Sequence, residues 1–255
     1  MIRALGRDRS TLVWLGALIA LVVASATTAW PAPLGIVFLG AVIGSLISFI
    51  SIGIVLIYRT NRIINFAQAD IGGLAAVLTV LLVAQTGMNY FLGVAIGVLS
   101  AMVLGALIEL TVVRRFFKAP RLILTVATIA VTQVLVFFEL FLPRTFGLDF
   151  LVVEFPTPFN VQFAVPDVAG NLPPVIFTGD HVLALLTVPL LIGAIGLFFK
   201  FSRFGIASRA AAENSDRASL LGVPVRRIST LVWILAAGLS AIGALLRAPT
   251  IGLSI

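Results

Sequence analysis

Residues able to do covalent chemistry are scarce in this chain of 255 residues. It contains no cysteine and a single histidine, so neither a disulfide nor a zinc site of soft ligands is expected. It has no phosphate loop of the G-x-x-x-x-G-K-[ST] type and no G-x-S-x-G nucleophile elbow. We therefore expect no catalytic site, no metal and no cofactor. If ATP drives this protein, the nucleotide site lies on another chain.

The most unusual polar residues lie at 58–70, between two apolar runs. Asn65, Gln68 and Asp70 are too polar to face lipid, whereas Phe66 and its isoleucine neighbours are too apolar for a free loop. A broken or re-entrant segment lining a cavity satisfies both sets of residues. A short amphipathic turn at the membrane interface is the alternative.

Other polar side chains fall within or near the apolar runs. Threonines at 125, 128 and 132 share one helical face, which could line a path or hydrogen-bond across helices. Charges in a membrane are costly and often functional. For Glu109 we expect interfacial pairing with the arginines at 114–115, and for Glu139 with Arg144. Asp70 and Arg247 are the remaining ionisable residues of this kind.

A second polar segment, 202–224, has the pattern of two short helices. The stretch from Ile206 to Glu213 favours helix, and Asn214 or Ser215 can cap a second helix. A glycine at 222 and a proline at 224 then stop it. This capped, alanine-rich pattern suits docking to a soluble partner, whereas a solvated linker is the alternative.

The elements that must position these residues are membrane-spanning helices. The chain is 60% hydrophobic and 11% charged, against about 25% charged residues in soluble domains. Continuous apolar runs without alternation favour helices over transmembrane strands. We predict an all-α polytopic bundle, one domain over 1–255, with small-residue stripes such as 93, 97, 101 and 105 for close packing. Seven runs approach the length of a span, at 11–30, 34–58, 71–87, 91–113, 122–142, 182–199 and 228–246.

Basic residues set the predicted orientation. With a cytoplasmic N-terminus, only Arg144 and Arg247 of the 17 basic residues fall outside, and the external loop 143–181 is acidic. The net charge of +7 therefore indicates basic residues that set the topology and face anionic lipid. It does not indicate nucleic-acid binding. The protein is expected in the plasma (inner) membrane.

The first apolar run has two interpretations. Arginines precede it and residues 24–26 resemble a cleavage site, as in a signal peptide. The run extends to Trp30, however, beyond the usual signal core of about 7–15 residues. We expect a retained span.

Both polar segments resemble a known family. The stretch Ile54–Asp70, with its Arg-Ile-Ile-Asn-Phe-Ala core, resembles the signature of branched-chain amino acid permeases of ATP-binding cassette (ABC) importers. Arg209–Asn214, followed by Leu-Gly-Val at 221–223, resembles the ATPase-docking loop of that family. The similarity spans about 35–255. The sequence departs from the family at Gln68-Ala69, where the family usually has His-Gly. It also ends at Ile255, where family members usually continue, so either the chain is truncated or the remainder lies elsewhere.

The resemblance implies a helical permease that works with a second homologous permease, cytoplasmic ATP-binding subunits and an extracytoplasmic solute-binding protein. The docking loop within the domain would be 201–226. Residues expected along the translocation path are Asn65, Phe66, Gln68, Asp70, Thr128 and Thr132. Residues expected to engage the ATPase are Arg209, Ala212, Glu213, Asn214, Ala218, Leu221 and Gly222.

The predicted function is import of a small solute without covalent chemistry by this subunit. Branched-chain or related amino acids are the first expectation, with urea or short amides next. A proton-coupled secondary transporter, using Asp70 or Glu139 as the proton carrier, is the alternative from another class. A third interpretation is a membrane scaffold that transports nothing.

Overall fold

A computed structural model describes residues 34–116, 119–147, 157–159, 161–165 and 174–251, together with positions 16, 20 and 23. Apart from those three positions, the predicted first span lies outside the described residues. Eight α-helices occur in the described part of the chain. They are α1 Leu34–Asn61, α2 Gln68–Thr86, α3 Tyr90–Ile108, α4 Arg121–Thr145, α5 Gly179–Phe201, α6 Arg203–Glu213, α7 Ser215–Leu220 and α8 Val225–Ile251.

Six of these helices, all except α6 and α7, are long and apolar enough to cross a membrane. They coincide with the second to seventh predicted apolar runs, so those six predictions are confirmed. The all-α membrane class is confirmed with them. The observed helices extend a few residues past most predicted ends, because polar residues at helix ends reach the membrane interface without breaking the helix.

The described part of the loop predicted to be external is not wholly irregular. Strand β1, Gln162–Val165, pairs with strand β2, Val175–Thr178, in a two-stranded sheet. The sequence analysis did not predict this hairpin. Four-residue strands carry too few alternations of apolar and polar residues to be detected from periodicity.

The chain forms two compact units. One comprises 1–40 and 163–177, and the other comprises 41–162 and 178–255. In the first unit, Gly35 of α1 lies against Val175 of β2 so closely that an added Cβ would be 2.7 Å from the valine Cβ. The second unit contains both polar segments singled out by the sequence.

Helices α2, α3 and α8 pack closely along their glycine-rich faces. The predicted small-residue stripe of α3 is buried at all four positions. An added Cβ at Gly97 would lie 2.0 Å from the Thr79 hydroxyl of α2, and one at Gly105 would lie 2.6 Å from Ala237 of α8. Such close backbone approach provides dispersion contacts where lipid supplies no hydrophobic drive. The predicted packing role of this stripe agrees with these contacts.

A polar cluster joins the end of α3 to α8. The helix continues as a π-helical turn, Glu109–Val113, which leaves the buried Glu109 carboxylate 3.3 Å from Arg114. The Thr230 hydroxyl donates to the same carboxylate at 2.8 Å and accepts from Arg114 at 2.9 Å. The pairing expected for Glu109 is thus observed. Every member of the cluster has a charged or hydroxyl partner.

Candidate translocation site and docking segment

The connection between α1 and α2 is a break in helical structure at 62–67. Helix α1 ends at Asn61, and Arg62 adopts a left-handed conformation with φ of 56°. Its N–H donates to the Tyr58 carbonyl at 2.9 Å, which closes the last turn of the helix. A left-handed residue often ends a helix, but a non-glycine residue pays about 1–2 kcal/mol for it.

The two sides of this break lie at different depths along α8. The Asn61 side chain donates to Ser229 at 2.7 Å, whereas the Gln68 side chain donates to the Ala236 carbonyl at 2.7 Å. Seven residues of α8 separate these contacts, which is about 10 Å of helix. Helix α2 therefore begins about 10 Å deeper in the bundle than α1 ends. This geometry is that of a broken membrane segment rather than a turn at the interface.

The amide side chains of the break are fully engaged inside the bundle. Asn65 donates to the Gln68 side chain at 3.1 Å and accepts from the Ala67 N–H at 3.1 Å. Ser240 donates to the Gln68 carbonyl. The Gln68 amide also lies against Gly53, where an added Cβ would be 2.2 Å from its nitrogen. Both amides are 0–1% exposed, so they hold the break together and do not face open space.

Thr128 ties the break to α4. Its hydroxyl accepts from the Phe66 N–H at 3.2 Å and lies 3.3 Å from the Ile64 carbonyl and 2.7 Å from the Thr125 carbonyl. Of the two roles left open for this threonine face, Thr128 shows hydrogen bonding to another segment, although that segment is the break and not a helix. The Phe66 ring beside it is 51% exposed.

Two carboxyl groups lie on the packed helices α2 and α4. Asp70, in the first turn of α2, lies beside the Thr132 hydroxyl of α4 and interacts electrostatically with Glu139. Glu139 is 3% exposed, and one of its oxygens would be 2.5 Å from a Cβ added at Gly73. The Thr132 hydroxyl and Glu139 Oε1 are buried without a geometrically good hydrogen bond.

The expected pairing of Glu139 with Arg144 is wrong. The Glu139 carboxyl packs against Gly73 of α2, and no ion pair joins it to Arg144, which is exposed. Five residues of helix place these two side chains on different faces, and the missing side chain of Gly73 leaves room for the carboxyl. Sequence proximity alone favoured the arginine.

The docking segment forms two capped helices as expected. The Ser202 hydroxyl accepts from the Gly205 N–H at 2.9 Å at the start of α6. Asn214, rather than Ser215, caps α7 by accepting from the Arg217 N–H at 2.9 Å. The segment ends at Gly222, whose φ of 81° reverses the chain before α8.

The predicted docking residues lie on different faces of these helices, and some are exposed while others are buried. Ala218 is 3% exposed and packs into the bundle, so it takes no part in the outer surface. Ala212 is half-buried. Leu220, which was expected to be available for contact with a soluble partner, is 86% exposed, and Ile206, which was not among the residues expected to engage the ATPase, is 59% exposed. The predicted residues on the exposed surface are Arg209, Glu213, Asn214, Leu221 and Gly222.

The docking segment touches the helix break directly. Arg62 donates to the Ala212 carbonyl at 2.5 Å across 150 residues of sequence. A polar cavity of about 400 Å³ lies beside this contact, lined by Arg62 and Asn61 on one side and by Asn214 and Ser215 on the other. Sequence reasoning did not find the role of Arg62, because nothing local indicates a partner so distant along the chain.

The sequence of the chain matches a known protein family over most of its length. A family model described as the permease component of the branched-chain amino acid transport system matches residues 36–254. The chain belongs to this family. It is therefore a multi-pass permease subunit of an ABC importer in the plasma (inner) membrane, and not an enzyme. Members of this permease family work in general with ATP-binding and solute-binding partners.

Individual relatives have low sequence identity to this chain, but their alignments cover most of it. The chain is 29% identical over 217 residues to the high-affinity branched-chain amino acid transport system permease protein LivH of Escherichia coli K12, covering 82% of this chain and 68% of LivH. It is 27% identical over 219 residues to the permease protein BraD of Pseudomonas aeruginosa, covering 81% and 68%. A probable branched-chain permease of Methanocaldococcus jannaschii is 27% identical over 210 residues, covering 80% and 62%. No solved structure matches.

Proposed function

We propose that this permease imports branched-chain or closely related amino acids. In this proposal a second homologous permease completes the pathway, two cytoplasmic ATP-binding subunits supply energy, and an extracytoplasmic solute-binding protein delivers the substrate. The relatives named for branched-chain amino acid transport support the substrate class. Residues 1–255 act as one permease domain, with 201–226 as its docking loop.

The pathway is proposed to run along the break between α1 and α2. Among the predicted path residues at 65–70, Phe66 is exposed and Asp70 is half-buried, and Thr132 lies beside Asp70. Asn65 and Gln68 contribute by fixing the backbone, since their amides are buried and bonded. The departure from histidine at Gln68 thus alters internal hydrogen bonds rather than a direct contact with substrate.

The contact between Arg62 and Ala212 carries this proposal. Movement of an ATP-binding subunit bound to the exposed side of α6 and α7 would shift the carboxyl end of α6. Arg62 donates to the Ala212 carbonyl at the end of α6 and also closes the last turn of α1. A single hydrogen bond would therefore transmit the shift of α6 to the break. Thr128 and Gln68 then connect the break to α4 and α8. The short helices are thus placed to convert ATPase closure into helix rearrangement.

The test is uptake by proteoliposomes that contain the complete transporter. Radiolabelled leucine uptake should require internal ATP and the binding protein. Glu213→Arg should reduce uptake at least about tenfold and release the ATP-binding subunits on purification, because the exposed docking surface loses its charge pattern. Arg227→Glu, an exposed charge reversal just outside the docking segment, should keep both properties.

Three results would count against this function. Uptake that persists without ATP and collapses with the proton gradient would favour the secondary transporter. Uptake of urea or acetamide in place of leucine would keep the class and overturn the substrate. Expression of a correctly folded complex with no uptake of any of these solutes would favour the scaffold.

A further inference from the structure

A deep apolar groove separates α5 from the rest of the bundle. Helix α5 is the least buried of the six spans, because 11% of its most apolar stretch is buried, against 67% for α8. The groove encloses about 310 Å³, and its wall is almost entirely apolar. Residues that line it include Leu191 and Ile195 of α5, Leu56 of α1, and Leu239 and Ile242 of α8.

This groove adjoins a basic mouth at the end that the distribution of basic residues predicts to be cytoplasmic. A second cavity, of about 580 Å³, shares Leu56, Ile195 and Phe199 with the apolar groove, so the two adjoin along α5 and are together called the channel. Four basic side chains line the second cavity against a single carboxylate, Glu213. They are Arg59, Arg62, Lys200 and Arg209.

The positive charge of the mouth is not neutralised by ion pairs within the part of the chain that the structure describes. None of its four basic side chains forms an ion pair with any residue that the structure describes. Arg62 and Arg209 donate to backbone carbonyls, and Lys200 lies 5.2 Å from the centre of the Phe201 ring. These contacts orient the cations and leave their charge in place.

The dimensions of the channel match one leaflet of a bilayer. From Lys200 at the mouth to Leu191 in the groove, α5 advances nine residues, or about 14 Å. Half of a hydrocarbon core about 30 Å thick is about 15 Å. The channel therefore places cations at the depth of headgroups and an apolar cleft at the depth of acyl chains.

We propose that this channel binds an anionic phospholipid of the cytoplasmic leaflet. The phosphate-bearing headgroup lies among Arg59, Lys200 and Arg209, and an acyl chain occupies the groove along α5. Basic pockets between membrane helices on the cytoplasmic side are suited to such headgroups. A free anion would use the mouth and leave the groove empty, and a zwitterionic lipid would use the groove but bring its own positive charge to the four cations. Only an anionic lipid uses both.

The lipid would also contact the docking segment. Arg209 and Glu213 of α6 line the mouth, while Leu56 and Arg59 of α1 line its opposite wall. A lipid held between them would stiffen the junction of α6 with the bundle. Binding itself does not depend on the proposed transport function and can be measured separately.

The experiment quantifies lipids retained by the purified full chain from bilayers that contain phosphatidylglycerol and phosphatidylcholine. The double variant Arg59→Gln/Lys200→Gln removes two cations of the mouth. The control Arg226→Gln/Arg227→Gln removes the same charge from the same side of the membrane, at residues that line neither cavity. Native mass spectrometry then counts tightly bound phosphatidylglycerol.

A third variant narrows the basic mouth and keeps its charges. Gly196→Leu points into the second cavity, and an added Cβ there meets no atom within 4 Å. The substitution also raises helix propensity, so the protein should fold. An unchanged thermal midpoint checks this.

We expect the wild type to retain phosphatidylglycerol in preference to phosphatidylcholine. The double variant should lose about fivefold in retention per charge, or about 25-fold in all. Gly196→Leu should lose at least tenfold, and the control should retain the lipid.

Four results would overturn the proposal. Equal loss in the double variant and the control would indicate general attraction by cytoplasmic charge. Equal retention of both lipids would indicate an apolar cleft alone. Displacement of the lipid by inorganic phosphate would indicate a free-anion site. Loss of a co-purifying protein subunit from Gly196→Leu, with lipid unchanged, would indicate that a protein fills the groove.

Discussion

Replacing Gly72 with alanine should push α2 away from α8. The added Cβ would lie 2.3 Å from the Ser240 carbonyl oxygen and 2.6 Å from the Ser240 hydroxyl. Ordinary van der Waals contact begins near 3.4 Å. The two helices must therefore separate by about 1 Å, since the obstructing atoms are mostly backbone and cannot rotate away.

The energetic cost follows from three contributions. Overpacking costs about 1–3 kcal/mol, and weakening the bond from Ser240 to the Gln68 carbonyl costs about 1 kcal/mol. Alanine in a helix recovers about 1 kcal/mol relative to glycine. The last two nearly cancel, so Gly72→Ala should lower the free energy of unfolding by about 1–3 kcal/mol.

Unfolding in mixed detergent micelles, followed by circular dichroism, measures this change. Gly44→Ala is the matched control, because an added Cβ at Gly44 meets no atom within 4 Å. That variant should be neutral or gain up to about 1 kcal/mol. If Gly72→Ala and Gly44→Ala unfold at the same denaturant fraction, the close α2–α8 contact does not exist as described.

Three further substitutions test other parts of the structure. Thr128→Val removes the acceptor of the Phe66 N–H, so hydrogen exchange at that amide should accelerate by the equivalent of about 1–3 kcal/mol. Thr125→Val, whose hydroxyl bonds within its own helix, should not change this exchange rate. Equal exchange rates in the two variants would refute the hydrogen bond between Thr128 and the break. Glu109→Gln should lower the free energy of unfolding by about 1–3 kcal/mol through its weakened bonds to α8, and an unchanged unfolding midpoint would contradict that cluster. Gly222→Ala should lower the local stability of the turn by about 1–2 kcal/mol, because an alanine is strained at a φ of 81°. The measurement is the rate of proteolysis near α7, which should rise. A cleavage rate equal to that of the wild type would show that the turn relaxes without strain.

Membrane helices were predictable because each must present a long apolar run to lipid. The polar residues at 65–70 were likewise predictable as a special segment, since lipid cannot solvate them. The sequence could not show that Asn65 and Gln68 bond to each other, because that depends on the shape of the break. Nor could it show that Gln68 meets Gly53 and Ala236, which lie far apart in sequence.

Side-chain direction accounts for the other differences. Ala218 was grouped with exposed docking residues because composition does not reveal which face of a six-residue helix packs inward. Glu139 was assigned to the nearest arginine along the chain, although its partner surface is Gly73 of another helix. The bond from Arg62 to Ala212 spans 150 residues, and no local pattern predicts it.

Crosslinking of α7 to an ATP-binding subunit tests the account most directly. The chain contains no cysteine, so Leu220→Cys introduces a single thiol at a side chain that is 86% exposed. In the assembled transporter, a short bifunctional maleimide should join it to a thiol on the ATP-binding subunit, with a yield that changes when ATP binds. Leu99→Cys, on the exposed side of α3 at 60%, should give no such product. Labelling of Leu220→Cys by an impermeant reagent from outside the cell, or crosslinking to the solute-binding protein, would contradict the account.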